Sequence, residues 1–187
     1  MKHLLLTTIL ALALCSTALS AELEGVTLPD SMDTDGSALV LNGMAQRSVL
    51  WIDVYVAGLY LPAKTADADS ALAMDGPKRM DMVFQRDVES ADICKAWKEG
   101  FEKNADGGGE AVMPTLDALC AATPDLKVGD TMAYIYTAST DTTDFILNGT
   151  STFSAPGKDF YTALLSCWIG PKPGPGKSFK KGVLGLD

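Results

Sequence analysis

The sequence predicts an α+β domain: one large antiparallel sheet with a layer of helices over one face. Three observations carry this. Short apolar runs separated by turn residues fill residues 26–61 and 131–154. Two Asn-Gly dipeptides stand between such runs, and three other stretches repeat their apolar residues at helical spacing. Hairpin-linked strands pair antiparallel, and helices set between and after them pack as a layer on the sheet.

The chain of 187 residues opens with MKHLLLTTILALALCSTALS. A basic start, an apolar run from Leu4 to Leu14 and small residues through Ala21 have the form of a secretory leader, too short to span a bilayer. Residues 1–20 are therefore expected to be removed, leaving one domain over 21–187 in the periplasm or secreted. Leu14 stands where a lipoprotein signal at Cys15 wants a small residue, so that reading is weaker.

The mature part carries 14 basic against 24 acidic side chains, a net charge near −10, which repels phosphate backbones and argues against a nucleic-acid partner. No later segment has the length and apolarity of a membrane helix. The only histidine is His3, in the leader. Ser-His-Asp and Cys-His catalysis and His-liganded zinc are excluded for the mature chain. Its carboxylates are scattered, so neither a metal nor another cofactor is expected.

Strands are predicted at 26–28, 37–41, 45–61, 79–86, 131–138, 142–147 and 150–154. Asn42-Gly43 is read as the turn between ALVL and RSVLWIDVYVAGLYL, and Asn148-Gly149 as the turn between TTDFIL and TSTF. Ser31, Asp33, Asp35 and Gly36 begin like a calcium loop but lack its closing Glu, so a solvated turn is expected. A weak helical turn is placed at 67–74. Ser90 caps a helix bearing Ile93, Cys94, Trp97 and Phe101 on one stripe, ended by NADGGG. A second helix covers about 111–122, with Pro114 tolerable in its first turn, and a third covers 157–168 with Phe160, Leu164, Cys167 and Trp168. The Pro/Gly-rich segment 170–177 and Lys177, Lys180 and Lys181 read as a solvated tail.

In an unbroken strand, Arg47, Val49, Trp51, Asp53 and Tyr55 share one face. Arg47 and Tyr55 together have the chemistry to hold a carboxylate, through a planar fork and a phenol. The competing reading is a half-solvated face with Arg47 paired to Asp53. Gly58 marks a bulge or a close backbone approach.

The segments LVLNGMAQRSVLWIDVYVAGLYLP, MVFQRDVESADICKAWKEGF, VGDTMAYIY, FILNGTSTFSAPGKDFYTALLSCWIGPKP and KKGVLGL follow one another in this order. Together they resemble the bacterial chalcone isomerase-like proteins over nearly all of the mature chain. The resemblance implies the chalcone isomerase-like open-faced sandwich, with a ligand cleft between sheet and helices. Relatives of this fold include plant enzymes that cyclise chalcones and plastid proteins that bind fatty acids. In the enzymes a strand arginine polarises the substrate carbonyl; in the binders an arginine and a tyrosine hold the carboxylate. Arg47 and Tyr55 lie in the matching hairpin and strand. The enzymes' Tyr, Lys and Asn correspond here to Gln85, Val88 and Asp92, so cyclisation is not expected.

The resemblance thus implies a non-catalytic protein that binds a fatty acid or other small carboxylate. Arg47 and Tyr55 would grip its polar end, and Trp51, Trp97 and Phe101 would wall its apolar part. Two alternatives stand beside this: an intramolecular lyase or isomerase acting on a chalcone-like enone with Arg47 as electrophile, and a structural or interaction module without ligand. Cys94 and Cys120 lie 13 residues either side of Gly107, which sets them opposite each other in a helical hairpin and predicts a disulfide, with Cys167 a buried free thiol. The rival reading makes all three small core residues.

Overall fold

Seven strands run as an uninterrupted antiparallel meander in the order β3-β4-β5-β6-β7-β8-β9. They are β3 (Ser31–Thr34), β4 (Ser37–Val49), β5 (Ile52–Leu61), β6 (Lys78–Phe84), β7 (Thr131–Thr137), β8 (Thr142–Leu147) and β9 (Thr150–Pro156). A separate ribbon of β1 (Ser20–Leu23) and β2 (Val26–Pro29) precedes them. Helices are α1 (Ala68–Ala73), α2 (Ser90–Asn104), α3 (Gly109–Ala122), α4 (Lys158–Ile169) and α5 (Lys177–Val183). This computed structural model describes residues 20–104 and 109–186. The leader expected over residues 1–20 lies outside the described residues except for Ser20, and so does Gly107 of the helical hairpin.

Alternation along β5 decides both cores. Tyr55, Ala57, Leu59 and Leu61 face the helices, where Trp97 and Phe101 of α2, Leu116 and Leu119 of α3 and Phe160, Leu164 and Trp168 of α4 bury against them. Val56 and Tyr60 point the other way, onto Val26 and Leu28 of the β1–β2 ribbon. At Gly58 an added Cβ would stand 2.5 Å from Leu28 Cδ1, so the predicted close approach is that of the ribbon.

The sequence-predicted α+β class holds, as do the hairpin at Asn148-Gly149, where both residues have positive φ, and the three long helices within a residue or two. Five local readings are corrected. Asn42-Gly43 is no turn: β4 runs straight through it with a register shift between Leu41 and Gly43. Asn42 is held by tertiary bonds, donating Nδ2 to the Val183 carbonyl at 2.8 Å and accepting from the Thr65 amide at 2.7 Å. The run 45–61 is not one strand but a hairpin turning at Leu50-Trp51. Ser31–Thr34 is a strand, closed by a turn at Asp35-Gly36. The supposed tail forms α5, because Phe179 and Val183 bury against the core beside Gly43. Pro114 lies inside α3 beyond its first turn.

Candidate functional site

The site begins at the β4–β5 hairpin. Val49 pairs with Ile52 and Ser48 with Asp53, but Arg47 pairs with Tyr55 rather than Val54. One residue is bulged out of β5. Residues directly opposite in an antiparallel ladder share a face, so Arg47 and Tyr55 both look toward the helices. Asp53 does not pair with Arg47; its Oδ1 accepts from Ser48 Oγ at 2.8 Å.

Tyr55 is buried, and its Oη accepts from Trp168 Nε1 at 2.9 Å. That bond uses an oxygen lone pair and leaves the phenol's own proton available. Burial pushes the Tyr55 pKa up to about 12, against a lowering pull from Arg47, so the phenol is neutral at pH 7 and acts as a donor. Arg47 donates Nη1 to the Gly174 carbonyl at 3.1 Å, in the loop joining α4 to α5. This contact aims the guanidinium while occupying one of its several N–H groups. The two side chains present unspent donors side by side.

They border a cleft of about 910 Å³ between the sheet and α2. Its inner wall is apolar and aromatic, with Met82, Phe84, Ile93, Trp97, Tyr134 and Trp168. Trp97 meets Tyr134 edge-on with ring centroids 5.9 Å apart, and Tyr134 packs on Trp168 at 5.5 Å. Tyr134 donates its hydroxyl to Met132 Sδ and burial holds its pKa well above the usual phenol range. Cys167 also lines the cleft; burial pushes its thiol up to about 12, which leaves it an inert neutral group at pH 7. The rim carries both signs, Arg86, Lys95 and Lys127 against Asp87, Glu89 and Asp125. Lys127 pairs with Asp87 at 3.0 Å on the surface.

Arg47, Tyr55 and Trp97 thus meet at one cleft. Trp51 does not join them: it lies at the hairpin turn, 84% exposed. Phe101 is also away from the cleft, packed in the core against Phe160 with centroids 6.2 Å apart. Val88 and Asp92 line the cleft, whereas Gln85 turns to the β1–β2 ribbon and donates to the Glu24 carbonyl at 3.1 Å. Cys94 and Cys120 are joined by a disulfide tying α2 to α3, with Cα atoms 5.5 Å apart, and Cys167 is a buried free thiol. Among the described residues no cluster of acidic, Cys or His side chains is arranged to hold a metal. The residues missed from sequence are Trp168, Phe84 and Gly174. Trp168 and Gly174 are the first and last residues of the WIGPKPG segment, whose distinctive composition was the available signal.

A curled antiparallel sheet with helices over one face, and a cleft between them, defines an open-faced sandwich. A model of the chalcone isomerase-like family matches residues 20–185, and the chain belongs to that family. The crystal structure of a fatty-acid binding protein from Arabidopsis thaliana is similar in fold, with a TM-score of 0.70 at 14% sequence identity over 90% of this chain and 97% of that one. No curated protein matches the chain in sequence.

Proposed function

We propose that this protein binds a fatty acid or another small carboxylate in the cleft between sheet and helices, without catalysing a reaction on it. The observation that carries the reading is the Arg47–Tyr55 pair: two donors on opposed strand positions, at the edge of an apolar aromatic cleft. The guanidinium matches a carboxylate with two parallel N–H groups, and the neutral Tyr55 hydroxyl donates a third bond. Trp97, Phe84 and Met82 supply the surface against which an acyl chain or ring loses its contact with water. The fold likeness to a fatty-acid binding protein supports this choice of ligand class. The leader pattern of residues 1–20 supports a site of action in the periplasm or outside the cell.

Catalysis of chalcone closure is disfavoured because Val88 and Asp92, which line the cleft, do not supply the Lys and Asn that the resemblance implies for the enzymes at those positions. Mass spectrometry of small molecules co-purified with the native protein, followed by titration calorimetry with a saturated fatty acid, tests the reading. A bound carboxylate whose affinity falls in Arg47→Ala is expected. Absence of both a co-purified carboxylate and fatty-acid binding, or cyclisation of a chalcone well above its spontaneous rate and lost in Arg47→Ala, overturns it.

A further inference from the structure

The β4–β5 hairpin ends in an apolar finger. Val49, Leu50, Trp51 and Ile52 are 46%, 80%, 84% and 44% exposed, and the other large apolar side chains so exposed among the described residues are Val128 and Leu186. The finger projects from the sheet. β3 pairs with β4 only as far as Val40, and β5 pairs with β6 only from Tyr55, so residues 49–53 have no strand partner outside their own hairpin.

Its residues are poor choices for the fold alone. Leu50 holds φ of +60°, at the first position of a two-residue hairpin turn where glycine is favoured and a side chain is strained. Trp51 beside it is left in water. At these exposures neither side chain is packed into the folded domain, which leaves both free for a partner outside it.

A second copy of this chain does not fit. A convex tip of four side chains offers on the order of a few hundred Å², against roughly 800 Å² per partner in a stable interface. A lipid surface needs no matching shape, and it takes up Leu and Ile in the acyl boundary and Trp at the headgroup level. The surroundings agree. Val49 also lines the cleft, and Val128, 66% exposed, lies at the same end of the sheet, in the loop where the Gly129 amide donates to the Phe84 carbonyl. Val49 thus joins the apolar tip to the cleft.

We propose that the tip formed by residues 49–52 docks on a phospholipid membrane, burying Leu50 and Trp51 at its interface. The rim charges nearby are of both signs and the chain is acidic overall, so the surface it fits is zwitterionic rather than anionic. The contact requires nothing in the cleft and stands whether or not a fatty acid binds there.

Phosphatidylcholine vesicles are the probe. Trp97 and Trp168 are each 4% exposed but line the cleft, so the part of the emission change on adding vesicles that is lost in Trp51→Ser reports Trp51. A blue shift, quenching by brominated phosphatidylcholine and flotation of the protein with the vesicles are expected. Leu50→Gly suits the backbone at φ of +60°, and Trp51→Ser removes an indole from water. Both variants should keep the wild-type circular dichroism and thermal transition yet partition about tenfold more weakly. Unshifted emission at millimolar lipid, or equal partitioning of wild type and both folded variants, overturns the proposal. So does a concentration-dependent dimer lost in Trp51→Ser without vesicle binding, which would assign the tip to a second copy.

Discussion

Arg47 and Tyr55 stand opposite each other across β4 and β5 because a single residue is bulged between them and the turn. Without the bulge the ladder that pairs Val49 with Ile52 would continue to pair Arg47 with Val54. Tyr55 would then face the β1–β2 ribbon, and Trp168 would lose its acceptor. One extra residue in one strand therefore decides whether guanidinium and phenol address the same space.

Arg47→Ala should weaken fatty-acid binding by about 1.5–3 kcal/mol, the range for hydrogen bonds to a charged group, with little effect on stability because the side chain is only half buried. Tyr55→Phe should behave differently. It leaves the buried Trp168 Nε1 without an acceptor and should cost roughly 1–3 kcal/mol of folding stability as well as affinity. Calorimetric titration and urea unfolding of both variants separate the two effects; equal stability loss in both would contradict the assignment.

The Cys94–Cys120 link closes a loop of 26 residues in sequence separation. Replacing both cysteines by serine should lower stability by about 3 kcal/mol on the chain-entropy account. Alkylation of the native protein lacking residues 1–20 should label no cysteine, and after unfolding without reductant it should label Cys167 alone. Three labelled cysteines without reduction would refute the bridge.

Lys78 is fully buried, its Nζ has no hydrogen-bond partner among the described residues, and the Tyr136 ring 5.7 Å away is a weak substitute for water. Burial first, and then the charge of Lys158, lowers its pKa from 10.5 to about 8. The folded state thus favours the neutral amine. Charging it destabilises the fold fully below pH 8, and the penalty fades as pH rises from 8 to 10.5. Lys78→Met should raise stability near pH 7, by about 1 kcal/mol for removal of an unsatisfied buried group, and the gain should vanish by pH 10.5. Unfolding curves of both proteins at pH 7 and pH 10.5 check the sign.

Gly43 lies where α5 meets the sheet: a Cβ there would collide with the Gly182 carbonyl oxygen and come within 2.7 Å of the Gly185 amide nitrogen. These are backbone atoms that cannot swing aside. Gly43→Ala should undock α5, loosening the Asn42–Val183 bond, and lower stability by about 2 kcal/mol or more. A variant with unchanged thermal transition would show that α5 does not depend on this contact.

The sequence by itself determined most of the elements of this protein and, by symmetry about a loop, the Cys94–Cys120 pairing. Alternation placed Tyr55, Ala57 and Leu59 on one face of β5, helical spacing placed Ile93, Trp97 and Phe101 on the buried stripe of α2, and Asn148-Gly149 supplied a turn that any flanking strands would accept. Equal distance from a loop set Cys94 against Cys120. These signals are local, because each depends on backbone geometry within a few residues. Tertiary structure decided the rest. Asn42-Gly43, a strong turn signal, became a strand irregularity because its side-chain and backbone partners, Thr65, Val183 and Gly185, come from far along the chain. The turn fell instead on Leu50-Trp51, which have no turn chemistry, and this sent Trp51 outward to water. Phe101 sits on the predicted stripe, yet α4 covers it, so it fills the core while Trp97, one turn earlier, reaches the cleft. Trp168 and Gly174 meet Tyr55 and Arg47 across more than 110 residues of chain. No periodicity within a segment can encode a contact between segments, so the cleft exists only once sheet, helices and C-terminal loop have packed.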